Sequence, residues 1–135
     1  MAEIKIVNPD ALGQPLGQYS QMTRVKASEF LFIAGQLGVD KDGKIAADGN
    51  FDEQCKQTFA NIEAALKSAG AGWGNVVQFT TYLVHSQDIP NFMTFRKREF
   101  PRMFAGGAYP PNTLLMIDRL VIEPALIEVQ TVAAL

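Results

Sequence analysis

Only two stretches of this chain carry the three-and-four spacing of an amphipathic helix, yet several strand-like stretches are apolar at successive positions. Phe30-Leu31-Phe32-Ile33-Ala34 and Leu114-Leu115-Met116-Ile117 would present apolar side chains to both faces of a sheet. Two helices can cover one face. A large bare apolar face is not tolerated by a soluble monomer. The pattern therefore predicts an oligomer that buries the second face, with small-molecule clefts at the seams between subunits.

The order of elements follows from local signals. Ile4 to Val7 reads as a short strand closed by Asn8-Pro9-Asp10, and residues 11–18 as a Gly/Pro loop. Tyr19 to Lys26 and Phe30 to Gln36 read as an antiparallel pair around the Ala27-Ser28-Glu29 turn, the second strand central and covered on both sides. Asn50 and Glu53 form a capping-box pattern ahead of a helix whose apolar stripe is Phe51, Cys55, Phe59, Ile62, Leu66 and Ala69; Gly70 ends it. Val76 to Val84 is the next strand, with His85 at its end in a surface loop.

Asp88 caps a second helix with Pro90 in its first turn. Ile89, Phe92, Met93 and Phe95 are its buried side and Arg96 to Glu99 its wet side, and Pro101 should end or kink it near Phe100. Strands at Asn112 to Leu120 and Leu126 to Ala133 finish the chain. The expectation is one α/β (α+β) domain over residues 1–135, β-β-β-α-β-α-β-β, with a mixed six-stranded sheet and two helices on one face.

Composition removes several classes of function. Twelve basic against 14 acidic side chains leave a net charge of −2, the wrong balance for neutralising a phosphate backbone, so nucleic acid is not an expected partner. A single Cys and a single His make neither a disulfide nor a zinc constellation, and no metal is expected. Cys55 lies on an apolar stripe and reads as a buried structural thiol. Gly106-Gly107 lacks the spacing of a phosphate-binding loop. No signal-peptide pattern or membrane span is present, and a cytoplasmic location is expected.

Gly17-Gln18-Tyr19-Ser20, Phe32-Ile33-Ala34-Gly35-Gln36, the helical Thr58-Phe59-Ala60-Asn61-Ile62 and the closing Ile127-Glu128-Val129 together resemble the Rid (YjgF, RidA-like) family, also called L-PSP endoribonucleases. The likeness runs over nearly the whole chain, in order. It implies a chorismate-mutase-like fold assembled as a homotrimer with three clefts between neighbours. It also implies hydrolysis of imines and enamines to a 2-oxo acid and ammonia, without metal or cofactor. Carried over by position, Tyr19 flanks the ligand, Glu128 orients the attacking water or moves its proton, and Gly35, with Ala34 before it, presents backbone to the substrate.

Two positions depart from the resemblance. Ala34 stands where many members have Ser, and Asn112 stands where the family has the Arg that grips the substrate carboxylate. A neutral amide cannot reproduce a bidentate charge-assisted contact. Arg24, Arg102 and Arg119 are the candidates to supply the missing charge. Three functions are thus in view: deamination of a small C–N metabolite, a non-catalytic metabolite-binding trimer favoured by Asn112 and Ala34, and an endoribonuclease, which the acidic balance disfavours.

Overall fold

A computed structural model describes residues 1–135. The six expected strands and two helices are present in the expected order: β1 (Glu3–Val7), β2 (Met22–Lys26), β3 (Phe30–Leu37), α1 (Phe51–Ser68), β4 (Val76–Leu83), α2 (Asp88–Met103), β5 (Asn112–Met116) and β6 (Ile127–Ala134). Strands β3, β6, β4 and β5 form a mixed sheet in that order, antiparallel except for the β4–β5 pair. A parallel neighbour needs a long crossover, and α2 supplies it.

The remaining pair, β1 and β2, forms a separate antiparallel ribbon. A bridge between Ser20 and Pro111 and a 2.8 Å bond from the Thr23 hydroxyl to the Val77 carbonyl set this ribbon against the β4–β5 side. The expected β2–β3 hairpin is therefore not made. Backbone bonds from Ser28 and Glu29 to the Leu135 carbonyl carry the chain past the end of β6 instead. In consequence β3 is an edge strand, not a central one, and Phe30 and Phe32 on its outer face are 45% and 80% exposed.

Strand pleating decides which side chains meet the helices. On β6, Ile127, Val129, Thr131 and Ala133 are buried beneath α1 and α2, while the even-numbered residues point to the opposite face. Helix α1 delivers Phe59 into that core, where its ring centroid lies 5.3 Å from Phe95, 5.6 Å from Phe100 and 5.8 Å from Phe79. The Asn50 side chain accepts from the Glu53 amide at 3.1 Å, as the cap pattern requires. The reciprocal arm is absent, because Glu53 pairs with Lys56. Cys55 is fully buried, and burial pushes its thiol far above the ordinary range.

Three details of the other elements differ from expectation. Helix α2 runs through Pro101 to Met103: the acceptor that loses its bond is on Lys97, and both residues face water, which can satisfy the freed carbonyl. Asp88 is the first helical residue rather than the cap, and Asn91 binds its carboxylate at 3.0 Å. Strand β5 stops at Met116, after which the chain turns toward a satellite cluster of Leu37, Leu120 and Ala125.

Phe59 is the ring around which the core is arranged. Truncating it to alanine removes a buried aromatic from a close-packed site, and Phe59→Ala is expected to lose about 3–5 kcal/mol of unfolding free energy. A denaturant midpoint unchanged from wild type would contradict this packing.

Candidate functional site

Two side-chain amides of α1 hold the strand ends that carry the first half of the site. Gln54 on α1 is fully buried; its amide donates to the Pro124 carbonyl at 3.1 Å and its oxygen accepts from the Leu126 amide at 2.8 Å. Asn61 donates to the carbonyls of Leu37 and Val39 at 3.0 and 2.8 Å. Helix α1 thereby fixes the start of β6 and the end of β3, the two segments flanking Glu128. Gly38 lets β3 pass close to the helix, since a Cβ there would come within 2.8 Å of the Gln54 backbone.

Glu128 points away from the helices, its cross-strand partners being Tyr82 and Leu37. A bulge between Ile33 and Gln36 brings Gly35 directly under its carboxylate, and a Cβ on Gly35 would lie only 2.6 Å from Glu128 Cδ. Ala34 is exposed beside it. Glu128, Gly35 and Ala34 are thus brought together, on the face that also bears Phe30 and Phe32. No arginine, lysine or hydrogen-bond donor of the chain pairs with the Glu128 carboxylate, and desolvation pushes its pKa above the usual carboxylate range.

Tyr19 and Asn112 belong to the other side of the sheet. Asn112 pairs with Phe79 in the β4–β5 register and accepts from the Thr81 hydroxyl at 2.7 Å, both on the helix-covered face. Tyr19 precedes Ser20, the residue bridged to Pro111, so it and Asn112 flank one contact. The Tyr19 hydroxyl accepts from the Leu16 amide at 3.1 Å, and its ring lies 5.9 Å from the Arg96 guanidinium carbon. Within one chain, then, the predicted residues fall into two groups on opposite faces.

The three arginines considered as replacements for the charge lost at Asn112 are engaged or distant. Arg102 pairs with Glu99 at 2.9 Å. Arg119 binds the Leu120 and Val121 carbonyls and Glu123. Arg24 is exposed on the β1–β2 ribbon.

Arg96 is the surprise. It was expected in water, yet it is 3% exposed, and its Nε and Nη1 have no hydrogen-bond partner. Its one hydrogen-bond partner is the Met93 sulfur at 3.5 Å, and the Phe92 ring lies 4.7 Å from its guanidinium carbon. Burial pulls its pKa below the ordinary value. The sequence did carry the signal: position 96 stands four residues after Phe92 and four before Phe100, on the apolar stripe.

A cavity of about 650 Å3 opens elsewhere, between the amino-terminal ends of α1 and α2. His85 lies on its rim, exposed as expected. Its two carboxylates are already engaged, Asp52 by Arg98 at 2.8 Å and Asp88 by Asn91. It contains none of Glu128, Gly35, Ala34, Tyr19, Asn112 and Arg96.

A family model described as endoribonuclease L-PSP matches residues 9–135. RutC family proteins of Synechocystis and Pyrococcus abyssi are 32% and 30% identical, covering 98% and 96% of this chain and 97% and 95% of their own. The human 2-iminobutanoate/2-iminopropanoate deaminase is 32% identical over 84% of this chain and 82% of its own. Among solved structures, the Rid-family protein YyfB of Yersinia pestis, of unknown function, superposes with a TM-score of 0.86 at 25% identity, covering 98% of both chains. Escherichia coli TdcF with bound serine superposes at 0.70 and 22% identity, covering 97% of this chain and 98% of its own. The chain belongs to the Rid (YjgF, L-PSP) family. Its fold, six strands and two helices, is the family's.

The raised pKa of Glu128 has a consequence for stability. The native state holds this proton to higher pH than the unfolded chain does. The stability linked to it is full below the unfolded value and is lost as pH rises through the native value. Glu128→Gln escapes that loss, so the variant is expected to melt above wild type near neutral pH, the gap closing toward about pH 4. A variant that melts below wild type at neutral pH would mean that the carboxylate is stabilised by a partner.

Proposed function

We propose that this protein is a hydrolytic deaminase of small imines or enamines, working as a homotrimer whose cleft is shared by two copies. One copy supplies Glu128, Gly35 and Ala34; its neighbour supplies Tyr19 and Asn112. The observation that carries this reading is Glu128 itself: an unpaired carboxyl of raised pKa, seated on a glycine, on an apolar face that a single chain leaves bare. A carboxyl raised above its ordinary range by desolvation is better suited than a free one both to give and to take a proton, as general acid–base catalysis needs. The relatedness to bovine and human 2-iminobutanoate/2-iminopropanoate deaminases supports the substrate class.

The chemistry follows from that placement. Water's oxygen bonds to the imine carbon while the C=N electron pair goes to nitrogen. Glu128 takes the proton released by water and passes it to nitrogen, giving a carbinolamine. The hydroxyl proton is then transferred by the same route as the C–N bond breaks, ammonia leaves, and the carbonyl product remains. Tyr19 borders the ligand with a ring and one hydroxyl. Gly35 gives the Glu128 carboxyl room to lie against the strand, where any Cβ would collide with it, and its backbone borders the ligand. Covering Phe32 with a second copy favours assembly by up to about 1.5–3 kcal/mol, and covering the half-exposed Phe30 by less.

A second reading rests on Asn112, whose oxygen is taken by Thr81 and whose amide carries no charge. A trimer that binds a metabolite without turning it over would keep this arrangement. No helix of the chain is long and apolar enough to cross a membrane, and an aqueous small molecule suits either reading.

The test is hydrolysis of 2-iminopropanoate generated in situ. Wild type is expected to accelerate ammonia release, and Glu128→Ala to lose on the order of 10²–10⁴ of that acceleration. A silent wild type that still binds the product 2-oxo acid would favour the binding protein.

A further inference from the structure

A charged side chain taken out of water without a counter-charge is a standing penalty, and proteins ordinarily pair it or leave it outside. Arg96 does neither. Its guanidinium is wedged between the Phe92 ring, Met93 and Tyr19, with Nε and Nη1 bare of partners. A solvated lysine or an apolar residue would serve packing on this helix stripe at lower cost. What the present residue uniquely offers is a planar fork of donors held ready in a low-dielectric setting, where its attraction for an anion is strongest.

The cover over this fork is thin. Gly17 lies against α2 so closely that a Cβ there would be 3.3 Å from Met93 Cε and 3.8 Å from Arg96 Nη2. The turn is held locally, by the Tyr19 amide bonding the Gly17 carbonyl at 2.9 Å and the Leu16 amide bonding the Tyr19 hydroxyl. Leu16 is 85% exposed and adds little anchoring. Immediately outside, Leu16, Gly17, Gln18, Met93, Thr94 and Lys97 enclose a cavity of about 330 Å3. It has a second cation in Lys97, an amide in Gln18 and apolar walls in Leu16 and Met93. Gly17 and Met93 border both this cavity and the Arg96 guanidinium.

We propose that Arg96 is the anion-gripping residue of this protein, binding the carboxylate of a small organic acid between the Leu16–Tyr19 turn and α2. This deepens the deaminase reading and rests on it only for the claim that the bound acid is substrate. The site lies on the same side of the sheet as Tyr19 and Asn112, so the charge absent at Asn112 is supplied from the helix layer. A carboxylate is preferred to a phosphate because one planar fork matches its two oxygens, while the apolar walls suit a short carbon chain. Tyr19 then has two roles, covering the guanidinium when the site is empty and bordering the ligand when it is filled.

The experiment is calorimetric titration of the full-length protein with pyruvate and, separately, with inorganic phosphate, alongside thermal melts. Pyruvate is expected to bind wild type, and Arg96→Met to weaken that binding on the order of 10- to 150-fold. The same variant should melt no lower than wild type, because it removes an uncompensated buried charge. Arg96→Lys, which keeps the charge and loses the fork, should fall between them, and this comparison stands even if Arg96→Met fails to fold. Unchanged pyruvate affinity in either variant overturns the proposal, as does failure of wild type to bind pyruvate. Phosphate bound as tightly as pyruvate, with the same dependence on Arg96, overturns the carboxylate assignment. Arg96-dependent pyruvate binding with no imine hydrolysis would uphold this site and sink the deaminase reading.

Discussion

The pleat of β6 is the constraint on which the rest depends. Successive side chains on a strand point to opposite faces, so burying Ile127, Val129, Thr131 and Ala133 beneath the helices sends Glu128 to the other side. No local adjustment can undo this, because a one-residue slip would exchange the core for the surface. The same logic on β4 and β5 turns Asn112 toward the helices through its pairing with Phe79. A carboxyl and the residues expected to face it across a ligand are therefore separated by the sheet within each chain. In the proposed assembly, two copies meeting across the bare face of Phe30 and Phe32 would bring the two groups to one seam, so the chemistry and the covering of apolar surface ask for the same oligomer.

Arg96 and Glu128 share a physical character. Each is an ionisable group placed where the medium disfavours its charge, and neither has an oppositely charged partner. Structural ion pairs elsewhere in the chain behave differently: Arg98 binds Asp52 and Glu99, Arg102 binds Glu99, and all lie in water, where such pairs contribute little. Stability alone gives no reason to keep the first kind. Preorganised charge in a dry site is what substrate recognition and proton transfer use, and proteins accept some loss of stability for it.

Much of this was legible in the sequence, and the misses have physical causes. The stripe from Phe51 to Leu66 and the β-branched run at Val76 specified α1 and β4 because local periodicity and packing agree there. The β2–β3 hairpin was not legible. A three-residue turn at Ala27-Ser28-Glu29 permits a hairpin but does not compel one, and pairing with β1 and the Ser20–Pro111 bridge won instead. Glu128, Gly35 and Ala34 were singled out by motif, and the fold brings them together. Tyr19 and Asn112 were singled out as well, but no motif spacing states on which face of a sheet a residue ends. Arg96 was hidden by composition: inside Arg96-Lys97-Arg98-Glu99 it looks like a wet surface, and only helical phase separates it from its neighbours.

The central claim is that one functional cleft needs the Glu128 face of one copy and the Tyr19 face of another. Its most direct test mixes two inactive variants, Glu128→Ala and Tyr19→Ala, in equal amounts, unfolds and refolds them together, and assays imine hydrolysis. Random reassembly places intact Glu128 and intact Tyr19 across the same seam in about a quarter of cases. The mixture should therefore recover about a quarter of the wild-type rate. Two inactive variants whose mixture stays inactive, despite exchanging subunits, would show that the two groups act from within one chain and would contradict the shared cleft.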